Sequence, residues 1–130
     1  MPDAEAILSS LSLASERCAD PAPRVYAALF ARHPEMEVLF ARDANGAVRG
    51  EMLAKAFETV IDLVEARAFG ENMLRCEVVT HEGYGVPREV FGIFFEVVVE
   101  TLKDLSGADW TPRTDRAWRH LLLEMAALTL

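Results

Sequence analysis

Residues 78–87 read VVTHEGYGVP, and the rest of the chain is best read outward from them. His81 closes a helical run, and Gly83, Gly85 and Pro87 then break it. An imidazole on the last turn of a helix, just ahead of a breaker, has two readings. It is a solvated helix end, where a cation-capable side chain suits the negative end of the helix dipole. Or it is a ligand whose ring is gripped by the helix before it and the turn after it.

The flanking sequence is helical throughout. Upstream, Leu74, Val78 and His81 share one face of a short helix. Before that, Leu53, Ala56, Phe57, Val60, Ile61 and Val64 step by three and one, which traces an apolar stripe at helical period. Arg49, four residues ahead of Leu53, points to the same side. Downstream, Pro87 opens a run that is apolar nearly all round, from Val90 through Val99, which predicts a helix sandwiched between others. Its EVVVET stretch is rich in β-branched residues, but the flanks continue a helical pattern, so a strand is rejected. Gly107 ends the run, and Thr111-Pro112 starts a last helix with Trp118, Leu121, Leu122 and Met125 on one face.

Toward the N-terminus, Asp3 is the expected cap of a first helix with Ile7, Leu8, Leu11 and Cys18 near one face. Asp20 is the expected cap of a second, with Pro21 at its first position and Pro34 ending it. Its apolar face is Ala22, Val25, Tyr26, Leu29 and Phe30; PEMEVLF then reads as a short turn and Asn45-Gly46 as a loop signal.

The 130 residues are 52% hydrophobic, which fits one domain, 1–130, able to bury a core without covalent staples. A net charge of −8 disfavours nucleic acid and anionic membranes as partners. No apolar run approaches the roughly 20 residues that span a bilayer. MPDAEAILSSL has no basic residue ahead of its apolar part, so it does not read as a secretory leader. Cys18 and Cys76 have no metal or redox spacing, and the expectation is two buried thiols in a reducing, cytoplasmic setting.

An all-helical chain of this size with a histidine ending a helix resembles the globin family. It is most similar to bacterial single-domain globins and to the haem domain of flavohaemoglobins, over roughly residues 5–128. Four stretches carry the likeness: VYAALFARHPEMEVLF, with Tyr26, Phe30, Pro34-Glu35 and Phe40; RGEMLAKAF, like the family's distal helix; HEGYGVPREVF, like its proximal segment; and ADWTPRTDRAW, like its last interhelical turn and helix. The resemblance implies an all-α globin fold, about seven helices in a sandwich around a haem pocket. It implies haem b as cofactor, with iron held by His81. Phe40 matches the phenylalanine packed on the haem face, and Tyr26 the tyrosine whose hydroxyl reaches the bound gas. Leu53 matches the apolar residue crowding the distal side. Arg49 stands where glutamine or histidine is more usual, and is placed either toward the gas or toward a haem propionate. Val86 and Phe91 complete the implied pocket.

Several residues depart from the family pattern. Glu77, four residues before His81, takes a position that is usually apolar, and the expectation is a solvated side chain on a slightly rotated helix. Phe91 replaces a tyrosine that polarises the proximal histidine, and no late glutamate completes that network. The 130 residues hold no flavin or nicotinamide module, and the expectation is that any turnover draws on an external reductant.

Three functions stand side by side. The first is reversible binding of dioxygen, and of NO or CO, for storage, delivery or sensing. The second is an NO dioxygenase served by a separate reductase. The third is a haem-free globin-fold module that binds another ligand or a partner protein. His33 is expected at the surface, and His120 in a surface pair with Glu124 one turn on. Neither is expected to ligate iron.

Overall fold

In a computed structural model, residues 3–129 are described. They form α1 (Ala4–Arg17), α2 (Ala22–Arg32), a 3-10 segment (Pro34–Phe40), α3 (Ala47–Val64), α4 (Gly70–Gly83), α5 (Arg88–Ser106), a short 3-10 turn (Gly107–Asp109) and α6 (Pro112–Leu128). No strand occurs among the described residues. The fold class is all-α, as expected, and the EVVVET stretch lies wholly inside α5.

The helix starts follow capping chemistry. Asp3 accepts the Ala6 N–H at 3.2 Å, and Thr111 accepts that of Thr114 at 3.2 Å ahead of Pro112. Asp20 accepts the Ala22 N–H at 3.2 Å, but the N-cap position falls on Pro21, not Asp20, and α2 begins one residue later than expected, at Ala22. PEMEVLF is more ordered than a turn: it forms the 3-10 segment, with Met36 buried. Gly46 supplies the left-handed conformation, φ 74°, that lets the preceding loop enter α3.

α5 is the sandwiched helix that its all-round apolar sequence predicts, and it packs against α1, α2, α4 and α6. Val97 and Val98 are fully enclosed, and even Thr101 is buried because its hydroxyl donates back to the Val97 carbonyl at 3.0 Å. Trp118 of α6 crosses to α1, where its indole N–H donates to Ser10 Oγ at 2.8 Å. Ser10 in turn donates to the Ile7 carbonyl at 2.7 Å, so the polar end of a large buried side chain is satisfied. Truncating Trp118 to Ala would cost about 3–5 kcal/mol. Arg17 at the end of α1 reaches the last carbonyls of α5, Leu105 and Ser106, at 2.8 and 2.7 Å. A cation there complements the negative end of the α5 dipole.

α3 is rotated from the expected stripe. Leu53, Ala56, Val60 and Leu63 are buried, but Ile61 faces solvent. The stripe reads 53, 56, 60, 63, one clean face, and Thr59 and Asp62 are buried beside it because both are hydrogen-bonded. Asp62 is the join between α3 and α4. Its carboxylate accepts the backbone N–H groups of Ala68, Phe69 and Gly70 at 3.0, 3.0 and 2.6 Å. Gly70 must be glycine: a Cβ there would stand 2.9 Å from Asp62 Oδ2 and 3.0 Å from Leu63 Cγ. Two side-chain expectations fail. Cys76 is exposed and only Cys18 is partly buried, because α4 turns Leu74 and Val78 inward and Cys76 outward. Glu124 pairs with Arg67, not with His120, because the left-handed Arg67 in the α3–α4 turn presents its guanidinium there.

Candidate functional site

A cavity of about 420 Å³ opens between α3 on one side and α4 and α5 on the other. That size is ordinary for a small-molecule site. Its walls are mostly apolar, with Met36, Met52, Met73, Leu74 and Phe95 among them.

His81 lines it, and the answer to the question posed by residues 78–87 lies in the backbone. Nδ1 of His81 is 2.8 Å from the Glu77 carbonyl. A carbonyl only accepts, so Nδ1 carries the proton. In the neutral ring Nε2 then keeps its lone pair. The breaker finishes the job. Gly85 adopts φ 94°, and the Val86 N–H folds back onto the His81 carbonyl at 2.9 Å. Val86 thereby also lines the cavity. The imidazole lies edge-on to Phe91 at a centroid distance of 5.1 Å, which fixes its remaining rotation.

Tyr26 lines the same cavity from α2. It is only 2% exposed, and its hydroxyl is buried with no hydrogen-bond partner. The ring is held in an aromatic cluster, 5.3 Å from Phe40, 5.6 Å from Phe94 and 5.9 Å from Phe30. Burial pushes the phenol pKa well up; nearby Arg49 opposes this and Asp43 adds to it. The hydroxyl therefore stays a proton donor, and an unused one. A buried hydroxyl without a partner costs about 1–3 kcal/mol, so such a group calls for a ligand.

Of the residues expected at the site, Tyr26, Phe40, His81, Val86 and Phe91 meet around the cavity. Leu53 and Arg49 are not on its lining. Leu53 is 3% exposed and packs in the core. Arg49 faces an outer groove on the far side of Tyr26 and Phe40. Its Nε donates to Asp43 Oδ2 at 3.0 Å and its Nη2 to the Asp43 carbonyl at 2.7 Å. Asp43 also accepts the Val48 and Arg49 N–H groups, both at 3.0 Å, so it caps α3 while it clasps Arg49. The Val48 N–H lowers its carboxyl pKa most; burial works against that, and the Arg49 contacts add to it.

The cavity face of α3 is instead Val48, Met52, Ala56 and Thr59, with Glu51 and Lys55 beside it. Only Ala56 of these lay on the expected stripe. The mixed polarity of this face hides its period, whereas the core-facing row beside it is uniformly apolar. His33 and His120 lie away from the cavity. His33 Nδ1 is 2.8 Å from Glu35 Oε1, and His120 is exposed. Among the described residues no helix is long and apolar enough to cross a membrane, and no three His, Cys, Asp or Glu side chains gather as a metal site.

Comparison with known proteins adds one finding: the model of the Globin family matches residues 23–128. No curated protein and no solved structure matches the chain.

Proposed function

This chain belongs to the globin family, and on that premise we propose that it binds haem b through His81 and reversibly takes up a diatomic gas, dioxygen first. The observation that carries this reading is the His81 ring: its Nδ1 proton is committed to the Glu77 carbonyl, and its other nitrogen is left for an apolar cavity.

The residues present fit the group. The donor set is one imidazole, which in its neutral form is a ligand type suited to haem iron. The walls are apolar and aromatic, as a macrocycle needs, and the volume is of the right order. The orphan Tyr26 hydroxyl supplies a polar contact that the protein itself leaves unused. When bound, haem would supply an iron centre with one position open to a gas.

Each side chain then has a defined task. His81 would hold the iron, its tautomer and ring plane fixed by the Glu77 carbonyl. Phe40 and Phe91 pack the cavity and keep water out. Tyr26 would offer its O–H as a hydrogen-bond donor to a bound gas, a contact that favours dioxygen because it gathers partial negative charge; in a dry cavity such a bond is worth about 1–2 kcal/mol. Arg49 is held by Asp43 and takes no part in that contact. The likeness to the haem domain of flavohaemoglobins, with Tyr26 on the gas side, leaves NO dioxygenation with a separate reductase as the enzymatic variant of the same site.

The test is titration of the purified protein with haemin. The expected outcome is saturation at one haem per chain, a Soret band, and reversible spectral change with dioxygen and CO after reduction. A chain that takes up no haem would overturn the reading in favour of a haem-free ligand-binding module.

A further inference from the structure

We propose that Glu77 is a positioning residue that raises the electron-donating power of His81, an inference that rests on the haem reading above. Four residues of α4 line the cavity in one helical row, Met73, Leu74, Glu77 and His81. The row is apolar except for Glu77 and the imidazole itself. Glu77 therefore lines the cavity while part of its side chain stays in solvent. Its side chain is 42% exposed and that of His81 26%.

Glu77 touches His81 twice. Its carbonyl takes the Nδ1 proton at 2.8 Å, and its carboxylate Oε2 stands 3.5 Å from the same nitrogen. The second distance is too long for a good hydrogen bond but well within Coulomb range. Among the described residues His81 is the only ion-pair partner within 4.0 Å of this carboxylate, since no lysine or arginine reaches it. An uncompensated negative charge beside the Nδ1–H pulls on that proton and pushes electron density toward Nε2. Partners on the outer nitrogen of a ligating histidine raise its basicity in this way. A more basic imidazole favours ferric over ferrous iron. The charge comes from the turn before the ligand, on the same helix, so it moves with the ligand as a unit.

The experiment uses haem-loaded wild type, Glu77→Gln and Glu77→Asp, and reads the midpoint potential and the iron–histidine stretching band of the ferrous form. Gln keeps the shape and removes the charge, and its backbone carbonyl still fixes the ring. The expected result for Glu77→Gln is a more positive potential, equivalent to a roughly three- to tenfold shift of the ferric-to-ferrous ratio. The iron–histidine band of the haem-loaded variant should move to lower frequency. Glu77→Asp should stay closer to wild type. The proposal is overturned if Glu77→Gln binds haem through His81 with both readouts unchanged, or if Gln and Asp shift them equally. Failure of the wild type to take up haem would instead overturn the haem reading, and this inference with it.

Discussion

Two polar groups of the cavity, His81 and Tyr26, are treated in opposite ways by the fold. On the α4 side, His81 is over-determined: a carbonyl takes its proton, Phe91 meets its edge, and a folded-back turn secures its own carbonyl. On the α2 side, the Tyr26 ring is locked among three phenylalanines while its hydroxyl has no partner. One group is oriented before anything binds, and the other is positioned but left unsatisfied. A permanent ligand needs the first treatment and a transient one needs the second. That contrast is the one the proposed cofactor and gas would require of the cavity.

The largest expected effect is at the oriented side. His81→Ala should abolish stable haem uptake, while His33→Ala and His120→Ala should titrate like wild type. If all three behaved alike, the α4 side would have no special role.

Next comes Tyr26→Phe. It should raise the dioxygen off-rate by about tenfold, the factor that corresponds to 1.4 kcal/mol. The CO off-rate should change much less, since bound CO is less polar. The empty protein should melt no lower than wild type, because the hydroxyl removed was making no hydrogen bond. A large loss of apo stability would mean that the hydroxyl has a partner after all, and the contrast between the two sides would dissolve.

A third effect concerns how the two sides are anchored. Asp43 caps α3 and Asp62 caps α4, and both carboxyls are held below the usual range. For Asp62, burial opposes this, but the N–H groups of Gly70, Phe69 and Ala68 and the charge of Arg67 outweigh it. A lowered folded pKa means the unfolded chain binds the proton more readily. The stability from both aspartates is therefore complete above the unfolded value of about 3.9 and is lost as pH falls through the folded values. Acid titration of the melting temperature should show this loss below about pH 4, and Asp62→Asn should flatten it. An unchanged acid limb in Asp62→Asn would separate α4 anchoring from that carboxylate.

The smallest effect is at Arg49. With its guanidinium clasped by Asp43, Arg49→Ala should leave the dioxygen off-rate within about twofold. A tenfold rise would place Arg49 on the gas and give Tyr26 a partner in its task.

The sequence made the helices legible because their signals are local. Asp3 and Thr111 announce caps, Gly46 and Gly107 announce turns, and α5 announces burial by being apolar all round. The cavity was legible where a residue's role is set by its own turn of helix, as with His81, or by a fixed spacing, as from Tyr26 to Phe40. It was less so on α3. Two faces of that helix are occupied, one by the core and one by the cavity, and the apolar stripe reports the core face. The likeness of RGEMLAKAF to the family's distal helix points to Leu53 and Arg49, whereas Met52, Ala56 and Thr59 line the cavity. The partners of Arg49, Arg67 and Glu124 were not legible either, since each depends on where a distant loop or helix comes to rest.

The central claim, that this fold exists to aim the Nε2 of His81 into the cavity as an iron ligand, has a direct measurement. Resonance Raman spectroscopy of the reduced, haem-loaded protein reads the iron–histidine vibration itself. The band is expected in wild type, absent in His81→Gly, and restored when free imidazole is added to that variant. A band that persists in His81→Gly without imidazole, or that is missing from haem-loaded wild type, would contradict it.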